Sequence, residues 1–313
     1  MSAADVARLL TLAALWGGSF VFMRVAVPAL GPLWLAECRV ALAFIALFAL
    51  ALAKRSVPAL RERWRDYLVI GVVNSALPFA LFCFAEQYVG ASTAAILNAT
   101  SPFFAAIVAA LWLKDRLSPA KLAGMGMGIG GVTLLVGWQP EPLTGMTLVA
   151  VIACLAAALC YGVASVYAKA RMTGVPSFAI ALYSQMAAAI VLAPALPLAP
   201  PPGLLTPLIA ANVVALALAS TALAYLLYFR LIATIGPARA LAVTFLIPLF
   251  GVLWGFVFLG EAIGANTLTG CALILTGTWL AVRGNRRAGA SRVAGQRSCK
   301  KTNTGSDELG RGA

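Results

Sequence analysis

Histidine is absent from all 313 residues, and Asp and Glu together number only 10. Without imidazole, and with so few carboxylates, the chain lacks the donors for a metal centre or an acid/base cluster, which speaks against a membrane-embedded enzyme. No cofactor and no metal ligand set is expected. A GxxxxGK[ST] loop is also missing, so the chain does not by itself use ATP in the usual way. Six cysteines are present without a CxxC pair, and Cys38, Cys83, Cys154, Cys160 and Cys271 lie inside apolar runs. They read as small packing residues, not as a disulfide framework or a zinc site. Charged residues make up 11% of the chain, against about a quarter in a soluble domain.

What is abundant is apolar surface: 62% hydrophobic residues and a mean hydropathy of +0.94. A water-soluble globule cannot hide that much, so the partner is a lipid bilayer. The net charge of +13 would suit nucleic acid if it were concentrated on one surface. Arg and Lys instead crowd into short loops and the tail, as they do where they orient a membrane protein, and no nucleic-acid partner is expected. The first apolar run continues through Phe20 to Met23 and stops at Arg24, which favours a retained helix over a cleaved signal.

The chain is also one half written twice. At an offset of 146, residues 90–135 match residues 236–281 without a gap: Gly90 falls on Gly236, Pro102 on Pro248, Asp115 on Glu261, Gly124 on Gly270 and Gly131 on Gly277. At an offset of 145, Trp16 falls on Tyr161, Gly17 on Gly162 and Arg24 on Lys169. Duplicated apolar halves are the sequence sign of a transporter with its site between the repeats.

With about 20 apolar residues needed per crossing, ten spans are expected, near 6–27, 32–53, 67–88, 91–112, 119–138, 145–168, 176–198, 206–229, 237–259 and 265–283. Repeat one occupies 1–140, repeat two 141–283, and a basic, disordered tail 284–313. Positive loops after spans two, four, six and eight (Lys54 to Arg65, Lys114 to Lys121, Lys169 with Arg171, Arg230 with Arg239) alternate with neutral ones. This pattern puts both termini in the cytoplasm. Five spans per repeat then force the halves to be inverted. The expected fold is all-α and integral to the membrane, with ten transmembrane helices in two inverted five-helix repeats.

Several stretches resemble a known family. Trp16-Gly17-Gly18-Ser19-Phe20 resembles the W-G-x-x-F start of EamA-type permeases of the drug/metabolite transporter superfamily, and Arg39 sits where that family commonly has an arginine. The run from Ala224-Tyr225 through Pro248 to Leu259-Gly260-Glu261 is similar to its second-repeat signature. Lys114-Asp115 departs from the usual Gly-Glu, but keeps the acid one carbon shorter. The resemblance covers nearly all of the chain up to Arg283. It implies a ten-helix permease of the bacterial inner membrane, a secondary transporter that exports amino acids or related small metabolites by alternating access. A broad-specificity drug exporter is the alternative within transport, and a membrane enzyme or scaffold the alternative outside it.

Candidate site residues follow from polarity in the wrong solvent, since polar side chains in mid-membrane are costly without partners or water. Asn98 aligns with Thr244, and Asn74-Ser75 with Ser220-Thr221. Trp16 and Tyr161 are symmetry mates away from the interfacial belts, and Tyr225, Tyr228, Tyr183 and Gln185 add candidates. The substrate site is accordingly expected at Trp16, Asn98, Tyr161, Tyr225 and Thr244. Ser75 and Thr221 read instead as hydroxyls bonded to their own helix. Pro102 and Pro248 read as hinges, because a mid-helix proline removes one backbone bond. Arg39 and Glu37 lie on different faces of one helix; Arg39 needs another partner, Glu86 in a structural or gating pair being the first expectation and a substrate carboxylate the second, and Glu37 is a weaker proton-coupling candidate. The ladder Gly124, Gly126, Gly128, Gly130 and Gly131 holds two interleaved GxxxG patterns, suited to packing within or between subunits. Trp34, Trp64, Trp138 and Trp279 read as interfacial anchors.

Overall fold

The structure is a computed structural model that describes residues 2–114, 117–137, 144–200, 203–236, 240 and 243–280. The described residues contain helices and no strands. In chain order these are α1 (Ala3–Leu30), α2 (Pro32–Ala53), α3 (Trp64–Ala85), α4 (Ala91–Trp112), α5 (Pro119–Gly137), α6 (Gly145–Arg171), α7 (Ser177–Leu198), α8 (Pro207–Ile235), α9 (Val243–Leu259) and α10 (265–280). Seven of them, all but α5, α9 and α10, are long and apolar enough to cross a bilayer. In lipid no water can satisfy a free N–H or C=O, so an apolar run of this length closes its bonds internally as a helix. The protein is an integral membrane protein. The expected tail, the junction between the two halves, Trp138, Asp115 and Arg239 lie outside the described residues.

Helix ends are set by local chemistry. Ser2 and Asp5 form a reciprocal capping box at the start of α1, and Thr144 and Thr206 accept backbone N–H bonds at the starts of α6 and α8, each satisfying a donor with no partner of its own. α1 turns into α2 over Gly31 alone, whose φ of +74 is open to glycine at no steric cost. Its N–H reaches the Val27 carbonyl at 2.8 Å, and Pro32 begins the next helix.

Packing follows the internal offset. Gly17 of α1 touches α9 so closely that an added Cβ would lie 2.7 Å from Phe250 Cβ and 2.8 Å from Gly251 N; Gly162 of α6 meets α4 the same way, 2.7 Å from Ala105 N and 2.9 Å from Phe104 Cβ. Phe104 and Ala105 are the residues that map onto Phe250 and Gly251 at 146. α5 and α10 cross through glycines: Gly131 lies against Gly270, and Gly277 against Gly124. Within the ladder the residues divide by face. Gly124, Gly128 and Gly131 are buried in the molecule, whereas Gly126 and Gly130 are exposed with nothing within 4 Å.

Two irregularities sit at equivalent positions of the two copies. α3 carries a π-helical segment at Val72–Ala76 and α8 one at Ala215–Leu223, and the offset of 146 maps the first inside the second. A π segment widens the helix by one residue per turn and frees backbone geometry where side chains must converge. α4 is broken, its first half ending at Asn98 and its second beginning at Ser101. Pro102 stands at the head of that second half, so it starts a helix instead of kinking one. Pro248, expected to act in the same way, lies inside a continuous α9.

Candidate functional site

The widened segments of α3 and α8 point their polar residues at each other and at α2 and α7. Asn74 Nδ2 donates to Tyr225 Oη at 3.1 Å, and Gln185 Nε2 of α7 donates to Ser75 Oγ at 3.0 Å. Thr221 Oγ1 donates to the Leu216 carbonyl of its own helix at 3.0 Å, five residues back as a π segment allows. The same oxygen accepts from Arg39 Nε at 3.0 Å. The self-bonded reading thus holds in part for Thr221, but not for Ser75, whose partner is across the helix pair.

Aromatic rings border this cluster. Trp16 packs edge-on against Tyr225, with centroids 6.4 Å apart, and tilted against Tyr228 at 5.4 Å. Tyr161 stacks on Phe82 at 6.3 Å, and Phe82 meets Phe20 edge-on at 5.4 Å, one turn along α1 from Trp16. Arg39 is within electrostatic range of both Tyr161 and Tyr225. The structure therefore gathers Trp16, Tyr161, Tyr225 and Arg39 into one region. Bonds from α8 and α9 to the carbonyls just before Trp16 fix this part of α1: Ser220 Oγ to Leu15 O at 2.7 Å and Trp254 Nε1 to Ala14 O at 3.0 Å. Asn98 ends the first half of α4, where its backbone carbonyl accepts Ser101 Oγ at 2.6 Å. Thr244 lies one residue into α9, half-buried.

Arg39 corrects one expectation. It is buried, 5% exposed, yet it forms no ion pair with Glu86. Its guanidinium carbon lies 3.7 Å from the centre of the Phe79 ring, and one terminal nitrogen is 3.5 Å from Met23 Sδ. Cation–π contact and a hydroxyl can hold a weakly hydrated, planar guanidinium where a carboxylate was anticipated. Glu86 is fully buried at the end of α3 and neither carboxyl oxygen has a hydrogen-bond partner among the described residues; Glu37 is half-buried with one such oxygen.

One end of the bundle is tied by a separate network. Tyr167 Oη donates to Asp66 Oδ1 at 2.7 Å, Arg63 donates to the Arg171 carbonyl at 2.7 Å, and Tyr183 donates to the Pro58 carbonyl. Tyr183 thus belongs to this closure between α7 and the loop after α2, not to the aromatic cluster. Trp64 and Trp279 are exposed, whereas the Trp34 indole nitrogen is buried.

Sequence reading placed Glu261 in the repeat and in the signature run but assigned it no role. Its carboxylate accepts the backbone N–H of Ala91 at 2.6 Å and of Ser92 at 2.9 Å, capping the first half of α4 from the far end of α9. Gly90 and Gly255 leave the room, since a Cβ on either would meet a Glu261 oxygen at 2.8 or 2.6 Å. The signal was present: the acid and the glycine both recur at an offset of 146.

Known proteins share this architecture. A solved structure, titled only "Crystal structure of protein", superposes with a TM-score of 0.65 over 92% of this chain and 99% of its own, at 22% identity, a likeness of fold. A protein of Streptantibioticus cattleyicolor described as a "Probable terminal-alkyne amino-acid exporter" is 29% identical, covering 87% of this chain and 92% of its own. One of Salmonella typhimurium described as a "Probable amino-acid metabolite efflux pump" is 28% identical over 94% and 100%. Residues 6–137 and 148–283 each match the EamA-like transporter family. With nearly its whole length matched, the chain belongs to the EamA-like transporter family.

Proposed function

We propose that the protein is a secondary transporter of the bacterial inner membrane that exports amino acids or related small metabolites by alternating access. Its ten helices form two inverted repeats with both termini in the cytoplasm. The antiparallel meeting of α5 and α10 supports the inversion: Gly124 and Gly131 face Gly277 and Gly270, so equivalent helices run in opposite directions across one axis. An axis of that kind, lying in the membrane plane, is how a repeated unit builds a site at mid-depth. The names of the two amino-acid-exporting relatives support the substrate class.

One observation carries the reading: a buried arginine without an ion-pair partner among the described residues, grouped with Trp16, Tyr161 and Tyr225 and bonded to Thr221 in the widened segment of α8, whose counterpart in the other copy is the widened segment of α3. Arg39 supplies a cation for a substrate carboxylate, and the rings supply faces for an ammonium or an apolar side chain. Asn98 and Thr244 complete the wall, with the break after Asn98 and Pro102 as the flexible joint and Pro248 as its counterpart. Uptake of a panel of labelled amino acids into proteoliposomes tests this. At least one is expected to accumulate, and Asn98→Leu is expected to abolish that uptake while the purified protein stays monodisperse. Normal uptake by the leucine variant removes Asn98 from the site. Absence of uptake for the whole panel removes the amino-acid assignment.

A further inference from the structure

Glu86 is the most heavily buried carboxyl in the described residues, with no exposed surface and no hydrogen-bond partner for either oxygen. It follows the last turn of α3, beside the start of α4. The nearest cation does not neutralise it: Arg24 of α1 donates to the Glu86 backbone carbonyl, not to the carboxyl group. The titratable and charged groups that face it come from every side. Arg24 and Arg39 approach from α1 and α2, Cys83 lies one turn back on α3, Cys154 faces from α6, and Glu261 from beyond α9. Glu261 is already committed to the Ala91 and Ser92 N–H donors, and its negative charge opposes a second one nearby.

A buried carboxyl in such a place has two stable conditions. Neutral, it needs no counter-ion. Ionised, it needs a cation brought to it, because an unpaired charge in a dry interior is among the costliest arrangements a protein can hold. Glu37 differs in being only half-buried, with one carboxyl oxygen left without a partner instead of two.

We propose that Glu86 is the proton-binding site that couples this transporter to the proton gradient. This rests on the transporter reading above. In the arrangement seen here the carboxyl carries the proton. On release, in a conformation that opens the site to water, the O–H bond breaks, the proton passes to that water, and the carboxylate draws the Arg24 guanidinium from the backbone carbonyl onto itself. Trp16 lies eight residues before Arg24 on the same helix, about 12 Å away along it. A shift of α1 toward α3 is thereby transmitted to the ring that borders the substrate.

Two readouts on the full chain in proteoliposomes separate this from the substrate assignment. The first needs no substrate. Infrared difference spectra over a pH titration should show, in wild type and in Glu37→Gln, a protonated-carboxyl C=O band that persists well above neutral pH, and no such persistent band in Glu86→Gln. Glu86→Asp should keep the band and move its frequency, which preserves the test if the glutamine variant does not fold. The second uses the labelled amino acids with an acidic lumen: a gradient of one pH unit should multiply wild-type accumulation about tenfold for one proton exchanged per substrate. Glu86→Gln should lose that gain, and Glu62→Gln, at an exposed loop position, should keep it. A band that survives in Glu86→Gln or is unmoved in Glu86→Asp overturns the proposal, as does a full gradient response in Glu86→Gln. If no amino acid is transported by wild type, the substrate assignment fails alone and the infrared band decides Glu86.

Discussion

Glu261→Ala removes a cap that is built from two separate parts of the chain. The carboxylate holds two buried N–H groups at 2.6 and 2.9 Å, and bonds to a charged acceptor contribute about 1.5–3 kcal/mol each. Its negative charge also meets the positive end of the helix, worth roughly 0.3–1 kcal/mol. Ala91 and Ser92 are buried, so water cannot take over the orphaned donors, and the alanine variant should lose about 3–7 kcal/mol, at or beyond the upper range for one substitution. Glu261→Gln keeps one acceptor oxygen but turns an NH2 toward the other donor, so its loss should be about half of that. Membrane proteins of this kind lose their fold irreversibly, which makes the half-life at a fixed temperature the sound measure. The monodisperse peak in size-exclusion chromatography, followed with time after heating in detergent, should decay in the order wild type, glutamine, alanine. The alanine variant should decay at least tenfold faster, the equivalent of about 1.4 kcal/mol on the barrier. Glu62→Ala, at an exposed loop position, serves as the control. An alanine variant within a factor of two of wild type would refute the claim that this cap stabilises the broken helix.

Two further outcomes follow from packing and charge. Gly17→Ala and Gly162→Ala each drive a methyl into the backbone of a neighbouring helix and should cost about 1–3 kcal/mol or more, read as a lower yield of folded protein; Gly126→Ala and Gly130→Ala, which face open space, should leave the yield unchanged. Arg39→Ala combined with Glu86→Gln should show additive effects on stability, within about 0.5 kcal/mol, since the two side chains form no ion pair. Partial restoration of stability in the double variant would instead establish the pair that the structure does not contain.

The helices themselves were legible because lipid leaves a chain so few choices. An apolar run such as Pro32–Ala53 must close its own backbone bonds, so composition and length fixed its boundaries to the residue. The duplication was equally visible, since glycines at close helix contacts tolerate little change between copies: Gly17 and Gly162, Gly131 and Gly277. Trp16 and Tyr225 could be named from polarity in an apolar setting, and their rings do meet. Pairings were another matter. Polarity says that Arg39 needs a partner, but not whether an acid, a hydroxyl or a ring supplies it; that depends on which face of α8 and α3 the π segments turn inward. The same holds for Pro102 and Pro248, equivalent positions of the repeat, yet one heads a new helix and the other lies within an unbroken one. Sequence alone thus determined which segments are helices and that they come in two copies, because those follow from local burial of backbone groups. Only the tertiary structure decided which polar groups are satisfied and which, like Glu86, are left without a partner, because partnership is a property of contacts between helices distant in the chain.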